Sequence, residues 1–268
     1  MTWRAAVKLA YDGRDFFGSQ RQSDLPTVED EVIRCLRKIK AMDDPVSSRF
    51  RAASRTDRGV SALGNVVAFD TSFRRGSLLK ALNSASDKVY FIGVAEVAPA
   101  FSPRRASSRL YRYFLDAKGL DLGRLEACAL ELQGKHDFRR FCKADDRATI
   151  KELRSVGVQP VGDLVVVDLE AREFLRNMVR RLVAAMVEVG SGRAELEDVR
   201  GALAGQDVQF GLAPPENLFL MDVRYDFDFT MEMPSNLMER LRRGRQATFM
   251  ALAFFEELYS QDRYGKDL

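Results

Sequence analysis

A chain of 268 residues, 46% of them hydrophobic and 30% charged, has the composition of an ordinary globular protein of one or two domains, neither disordered nor collagenous. No stretch free of Asp, Glu, Lys and Arg approaches the roughly 20 residues that a bilayer requires, and Trp3, Arg4 and Lys8 stand where a secretory leader needs an unbroken apolar run. Three cysteines, Cys35, Cys128 and Cys142, at wide spacings fit a reducing compartment, so the expectation is a cytoplasmic protein without a membrane segment.

Taken in chain order, residues 3–11 read as a strand. Pro26 and Thr27 open a helix to about residue 41, with Thr27 as N-cap, Asp30 in the first turn and Val28, Val32, Cys35, Leu36 and Ile39 on one face. Strands are expected over 46–53 and 64–70, then a helix over 76–85 and a strand over 88–97. The second half repeats this order: a strand over 107–115, a helix over 121–133, a hairpin pair over 151–159 and 163–170, a long helix over 173–190 and a strand over 217–225, with a short helix over 195–204 inserted. Residues 235–259 read as a C-terminal helix, basic in its first half and apolar in its second. This is an α+β chain of two split-βαβ halves, ferredoxin-like or RRM-like, joined through antiparallel sheet with a central cleft. The boundary falls at Pro99–Arg105, giving an N-terminal half over 1–102 and a C-terminal half over 103–268.

The inventory removes several chemistries. A single histidine, His136, leaves almost nothing for a His/Cys metal site or a histidine-based triad, and no CxxC, HExxH, GxGxxG or P-loop string occurs. The net charge is only +3, yet the 42 basic residues divide into 32 Arg and 10 Lys and come in groups such as Arg104, Arg105, Arg109, Arg112 and Arg172, Arg176, Arg180, Arg181. Clustered guanidinium groups suit phosphates and bases, although any one group equally fits a solvated helix face. The most informative segment runs from Arg51 to Gly64. It places one carboxylate, Asp57, among Arg51, Arg55 and Arg58 in a loop between two strands, with Gly59 available for a positive φ. On these residues alone a surface turn with exposed ion pairs fits as well as a site.

Ser54–Phe69, SRTDRGVSALGNVVAF, resembles the signature loop of the tRNA pseudouridine synthase A family, whose usual form is close to GRTDAGVHALGQVVHF. Five further segments resemble that family in the right order: Tyr11–Gln22, Ser107–Phe114 ending in Tyr111-Arg112-Tyr113, His136–Cys142, Phe174–Arg180 and Gly211–Leu220. Ser19, Arg58, Ser61, Asn65 and Leu212 depart from the usual Trp, Ala, His, Gln and Thr. None removes Asp57, Arg55 or Gly59, so these departures are expected to bear on RNA contacts more than on chemistry.

The resemblance implies isomerisation of uridine to pseudouridine in the anticodon stem-loop of tRNA, within positions 38–40, without cofactor or metal, by a homodimer that contacts tRNA with both subunits. Asp57 takes the catalytic place. Attack at C1′, stabilisation of an electron-poor C1′ and proton transfer from the sugar are all open to it. Tyr111 corresponds to an active-site tyrosine; strand alternation sends it to the same face as Tyr113 and away from Arg112. Arg180 is expected to leave a largely apolar helix and pair with Asp57, against the simpler reading of a snorkelling arginine. Arg55 accompanies base flipping in the family, where a planar cation can brace the vacated stack; a phosphate contact is the plainer role. His136 is read as structural, and the apolar run Phe249–Phe255 as an interface element or a piece of core. A non-catalytic RNA-binding protein of two RRM-like units is one alternative, and it would not need Asp57; another carboxylate-dependent nucleic-acid enzyme, such as a glycosylase, is a second.

Overall fold

The computed structural model describes residues 1–143 and 146–264. It is a mixed α+β structure around one largely antiparallel sheet of ten strands. In the N-terminal half β1 (Trp3–Tyr11) is followed by α1 (Val28–Lys38), β2 (Arg51–Ala52), β3 (Ser61–Thr71), α2 (Arg75–Ala85) and β4 (Val89–Val97). Here the strands lie in the order β4-β1-β3-β2. The C-terminal half runs β5 (Ser108–Asp116), α3 (Leu122–Leu132), β6 (Gly134–Asp137), β7 (Ile150–Val161), β8 (Leu164–Ala171), α4 (Met178–Gly190), α5 (Leu196–Leu203) and β9 (Leu218–Arg224), ordered β9-β5-β8-β7-β6.

Local chemistry explains the element limits. Thr27 Oγ1 accepts the Asp30 N–H at α1, and Val28, Val32, Ile33, Cys35 and Leu36 are buried on one face, as the periodicity requires. The strand expected over 46–53 shrinks to Arg51–Ala52. Asp44 is responsible: its Oδ2 accepts the Val46 and Ser47 N–H groups at 2.9 and 2.7 Å, and its carbonyl accepts Ser48 N–H, folding the chain into a turn. The helix expected from residue 173 begins only at Met178, because Asn177 adopts φ 63° and interrupts it. The short edge strand β6 was not expected at all.

Two features position the site. The halves are joined by one parallel contact in an otherwise antiparallel sheet, Ser61↔Phe219 and Ala62↔Leu220 between β3 and β9. The loop carrying Asp57 leads directly into this seam. After β9 the chain returns to the N-terminal half: β10 (Thr230–Met231) pairs with β4, and α6 (Ser235–Tyr264) buries Leu237 and sets Asn236 Nδ2 2.9 Å from Ser84 Oγ. Further along α6, Phe249, Met250, Leu252, Phe254 and Phe255 are exposed. No helix among the described residues is long and apolar enough to cross a membrane.

Candidate active site

Much of the loop between β2 and β3 is held by uncharged partners. Ser19 Oγ accepts the Thr56 N–H at 2.7 Å, and Ser19 N–H donates to the Thr56 carbonyl at 3.1 Å. Thr56 Oγ1 lies 2.8 Å from the Tyr11 hydroxyl. Asn65 Nδ2 donates to that hydroxyl at 3.3 Å and to the Ser54 carbonyl at 3.1 Å, while its Oδ1 accepts the Ser54 and Val66 N–H groups. Val60 N–H closes the turn onto the Asp57 carbonyl at 3.2 Å, with Gly59 at φ +85°. The positive φ favours glycine, and a Cβ at Gly59 would also crowd Pro215 Cγ and Glu216 Oε1 at 3.2 Å.

Three of the five departures from the family pattern therefore act differently from the expectation. Ser19, Ser61 and Asn65 are 2%, 5% and 2% exposed; they frame the Asp57 loop, Ser61 Oγ accepting the Gly13 N–H at 3.0 Å, and being buried they present no surface to RNA. Arg58 is exposed, its guanidinium 4.2 Å above the Phe17 ring.

The facing wall comes from the C-terminal half. Arg180, in the first turn of α4, donates from Nη1 to Asp57 Oδ2 at 3.2 Å and from Nε to the Ala213 carbonyl at 2.7 Å. The Ala213 N–H returns to the Arg180 carbonyl at 3.2 Å, and the Tyr113 hydroxyl donates to the Pro214 carbonyl at 2.9 Å. Arg180 is thus no snorkelling arginine: its side chain is 13% exposed against 37% for Asp57. The cation is withdrawn and clamped, and the carboxylate is presented.

Tyr111 and Tyr113 are both buried, whereas Arg112 forms a two-pronged pair with Asp168 at 2.8 Å, as alternation demands. The Tyr111 ring stands edge-on to Phe174, centroids 5.2 Å apart. Burial first, and the neighbouring Tyr11 and Asp57 after it, raise the Tyr111 phenol above its ordinary range, so it is protonated at neutral pH. No described residue hydrogen-bonds its hydroxyl. Arg55 is exposed and makes no ion pair among the described residues; with Arg21 and Arg104 it surrounds Glu29, whose carboxyl burial pushes upward. The structure therefore brings Asp57, Arg180 and Tyr111 to one seam and leaves Arg55 on its rim.

Sequence reasoning missed Arg109. This buried arginine donates from Nε to Ser54 Oγ at 2.9 Å, from Nη2 to the Ala53 and Arg104 carbonyls at 3.1 Å, and from Nη1 to the Arg172 carbonyl. One guanidinium fastens the Asp57 loop to the C-terminal half. The signal was available, since Arg109 shares strand parity with Tyr111 and Tyr113. His136 lies on β6, its Nε2 2.9 Å from the Gln133 carbonyl and its ring edge-on to Phe138. Among the described residues no three His, Cys, Asp or Glu side chains are grouped to hold a metal ion.

Residues 128–226, the stretch that carries Arg180 and the facing strand β9, match a family model described as tRNA pseudouridine synthase. The class so defined is that of the pseudouridine synthases, which are isomerases. The chain is 40% identical over 243 residues to the tRNA pseudouridine synthase A of Thermococcus sibiricus, covering 90% of this chain and 91% of that one. It is 39% identical over 237 residues to that of Pyrococcus abyssi, covering 87% and 88%, and 35% identical over 260 residues to that of Pyrococcus furiosus, covering 96% of each. The chain belongs to the tRNA pseudouridine synthase A family.

Proposed function

We propose that this isomerase converts uridine to pseudouridine in the anticodon stem-loop of tRNA, within positions 38–40, with Asp57 as its catalytic carboxylate and no cofactor. The observation that carries this is the 3.2 Å contact between Asp57 and Arg180, two residues 123 positions apart, at the seam of the sheet. A clamped cation beside a half-exposed carboxylate suits a reaction in which the N1–C1′ bond breaks, the base turns, C5 joins C1′ and the C5 hydrogen leaves as a proton. Asp57 can add to C1′ or take a sugar proton, and Arg180 orients it for either. Tyr111 offers a ring edge and a free, protonated hydroxyl to the base. Arg55, exposed and unpaired, braces the stack from which the uridine is turned out, a step costing a few kcal/mol.

The two strand orders, β4-β1-β3-β2 and β9-β5-β8-β7, support reading residues 1–102 and 103–268 as two split-βαβ units with a cleft at their seam, the end of the second unit folding back over the first. The exposed apolar run Phe249–Phe255 of α6 is the surface we assign to a second copy of the chain. The function is tested with tRNA transcripts carrying C5-tritiated uridine. Release of tritium from positions 38–40 is expected; tRNA binding without release would sink the isomerisation and leave the RNA-binding protein or another carboxylate-dependent enzyme standing.

A further inference from the structure

Beside the site lies an open groove of about 320 Å³ lined by Arg105, Ser107, Arg154, Arg172, Tyr225 and Asp226 among others. Its three arginines come from separate parts of the chain. Arg105 sits in the turn before β5, Arg154 at the irregularity of β7 between Leu153 and Ser155, and Arg172 just beyond β8. A bulge re-aims a side chain, and here it brings Arg154 to the other two. All three are exposed, and none makes an ion pair or a side-chain hydrogen bond among the described residues.

The carboxylates nearby do not answer this charge. Glu170 is engaged by Arg224 at 3.4 Å and Glu173 by Lys151 at 2.5 Å, which leaves Asp226 as the acidic group in the groove. Three guanidinium groups against one carboxylate in a concave surface concentrate positive potential. One wall is rigid: the Tyr225 hydroxyl donates to the Pro103 carbonyl at 2.6 Å, and its ring stacks on Phe227 with centroids 5.2 Å apart. The groove is also tied to the Asp57 loop. Arg109 holds the backbone of Arg172 and of Arg104, next to Arg105, with the same guanidinium that holds Ser54 and Ala53.

We infer that this groove is a phosphate-binding subsite that grips the RNA backbone and sets its register relative to Asp57. This rests on the RNA-modifying function proposed above. Guanidinium forks match phosphate oxygens in pairs, and phosphate contacts position a nucleic acid without reading its sequence.

The test is the double variant Arg154→Ala/Arg172→Ala, compared with wild type and with the charge-matched control Arg74→Ala/Lys88→Ala. Both pairs are exposed, and circular dichroism checks their folding. With C5-tritiated tRNA the groove variant should show a KM raised about tenfold or more with kcat changed less than twofold. Its log–log salt slope of tRNA binding should flatten by about 1.4 to 1.8, the loss of two phosphate contacts. Asp226→Asn should tighten binding more in wild type than in the groove variant, where the arginines that it opposes are gone. A KM and slope equal to those of the control pair would overturn the subsite. Inorganic phosphate should compete with tRNA more effectively in wild type than in the groove variant; equal competition in both would also overturn the subsite. Absence of tritium release by wild type would instead sink the proposed reaction, while the binding slopes would still test the groove.

Discussion

The two walls of the Asp57 site are built from different materials. The loop wall is held by Ser19, Thr56, Tyr11 and Asn65, all uncharged, with Gly59 supplying the turn. The opposite wall supplies one guanidinium, Arg180, fixed by a backbone carbonyl as well as by Asp57. Apart from the Arg109 guanidinium, which reaches Ser54 and Ala53 from the other half, neutral hydrogen bonds fix the loop, and Arg180 is the cation that touches the carboxylate. The lesson is that most of the loop's shape is set within the N-terminal half while the cation on the carboxylate comes from the other, so the two can be perturbed separately.

The largest separation should come from Arg180→Met, which keeps volume and deletes charge. Activity should fall by about 10²- to 10³-fold, the usual effect of deleting a preorganised charge partner, with the Asp57 loop intact by circular dichroism; near-wild-type turnover would dissolve the distinction between the walls. Next is Asn65→Ala. It strands the Ser54 N–H and carbonyl in a buried position, so unfolding in denaturant should show a loss of about 2 to 3 kcal/mol, and activity should drop with it. An Asn65→Ala protein of unchanged stability would show that the loop is held elsewhere.

Alkali tests the buried tyrosines on both sides of the seam. Burial raises the phenols of Tyr11, Tyr111, Tyr113 and Tyr225, Tyr113 being pushed up to about 12. Folded values above unfolded ones mean that their contribution is whole below about pH 10 and is lost as pH rises toward the folded values. Denaturant stability should therefore be flat to about pH 9 and fall by about 1.4 kcal/mol per phenol and pH unit above 10. The smallest effect should be that of Arg14→Ala, which breaks an exposed pair with Asp12 and should change stability by less than about 1 kcal/mol.

Much of this arrangement was legible in the chain. The order of β1, α1, β3, α2, β4, β5, α3, β7, β8, α5 and β9 follows from apolar patterning, turn residues between the runs and caps such as Thr27. The limits of β2 and α4 did not, because Asp44 and Asn177 override the apolar pattern through a side-chain turn and a left-handed backbone. The pairing of Arg180 with Asp57 could be anticipated only from the family motifs, since no local rule joins residues on opposite sides of a seam. The tie made by Arg109 and the gathering of Arg105, Arg154 and Arg172 are consequences of packing. Strand parity puts Arg109 on the face of Tyr111 and Tyr113, but it does not say what the guanidinium meets, nor that Arg154 ends in a groove.

The central claim is that Asp57 supplies the chemistry and its surroundings supply the binding, and Asp57→Asn tests it most directly. Asparagine keeps the shape of the side chain and is a poor nucleophile and a negligible base. Tritium release from C5-labelled tRNA should disappear, while tRNA binding stays within about tenfold, or about 1.4 kcal/mol, because contacts to phosphate spread over the basic surface and one negative charge is removed. Release above trace level would contradict the role of Asp57, and loss of binding together with release would make the loop a docking element instead.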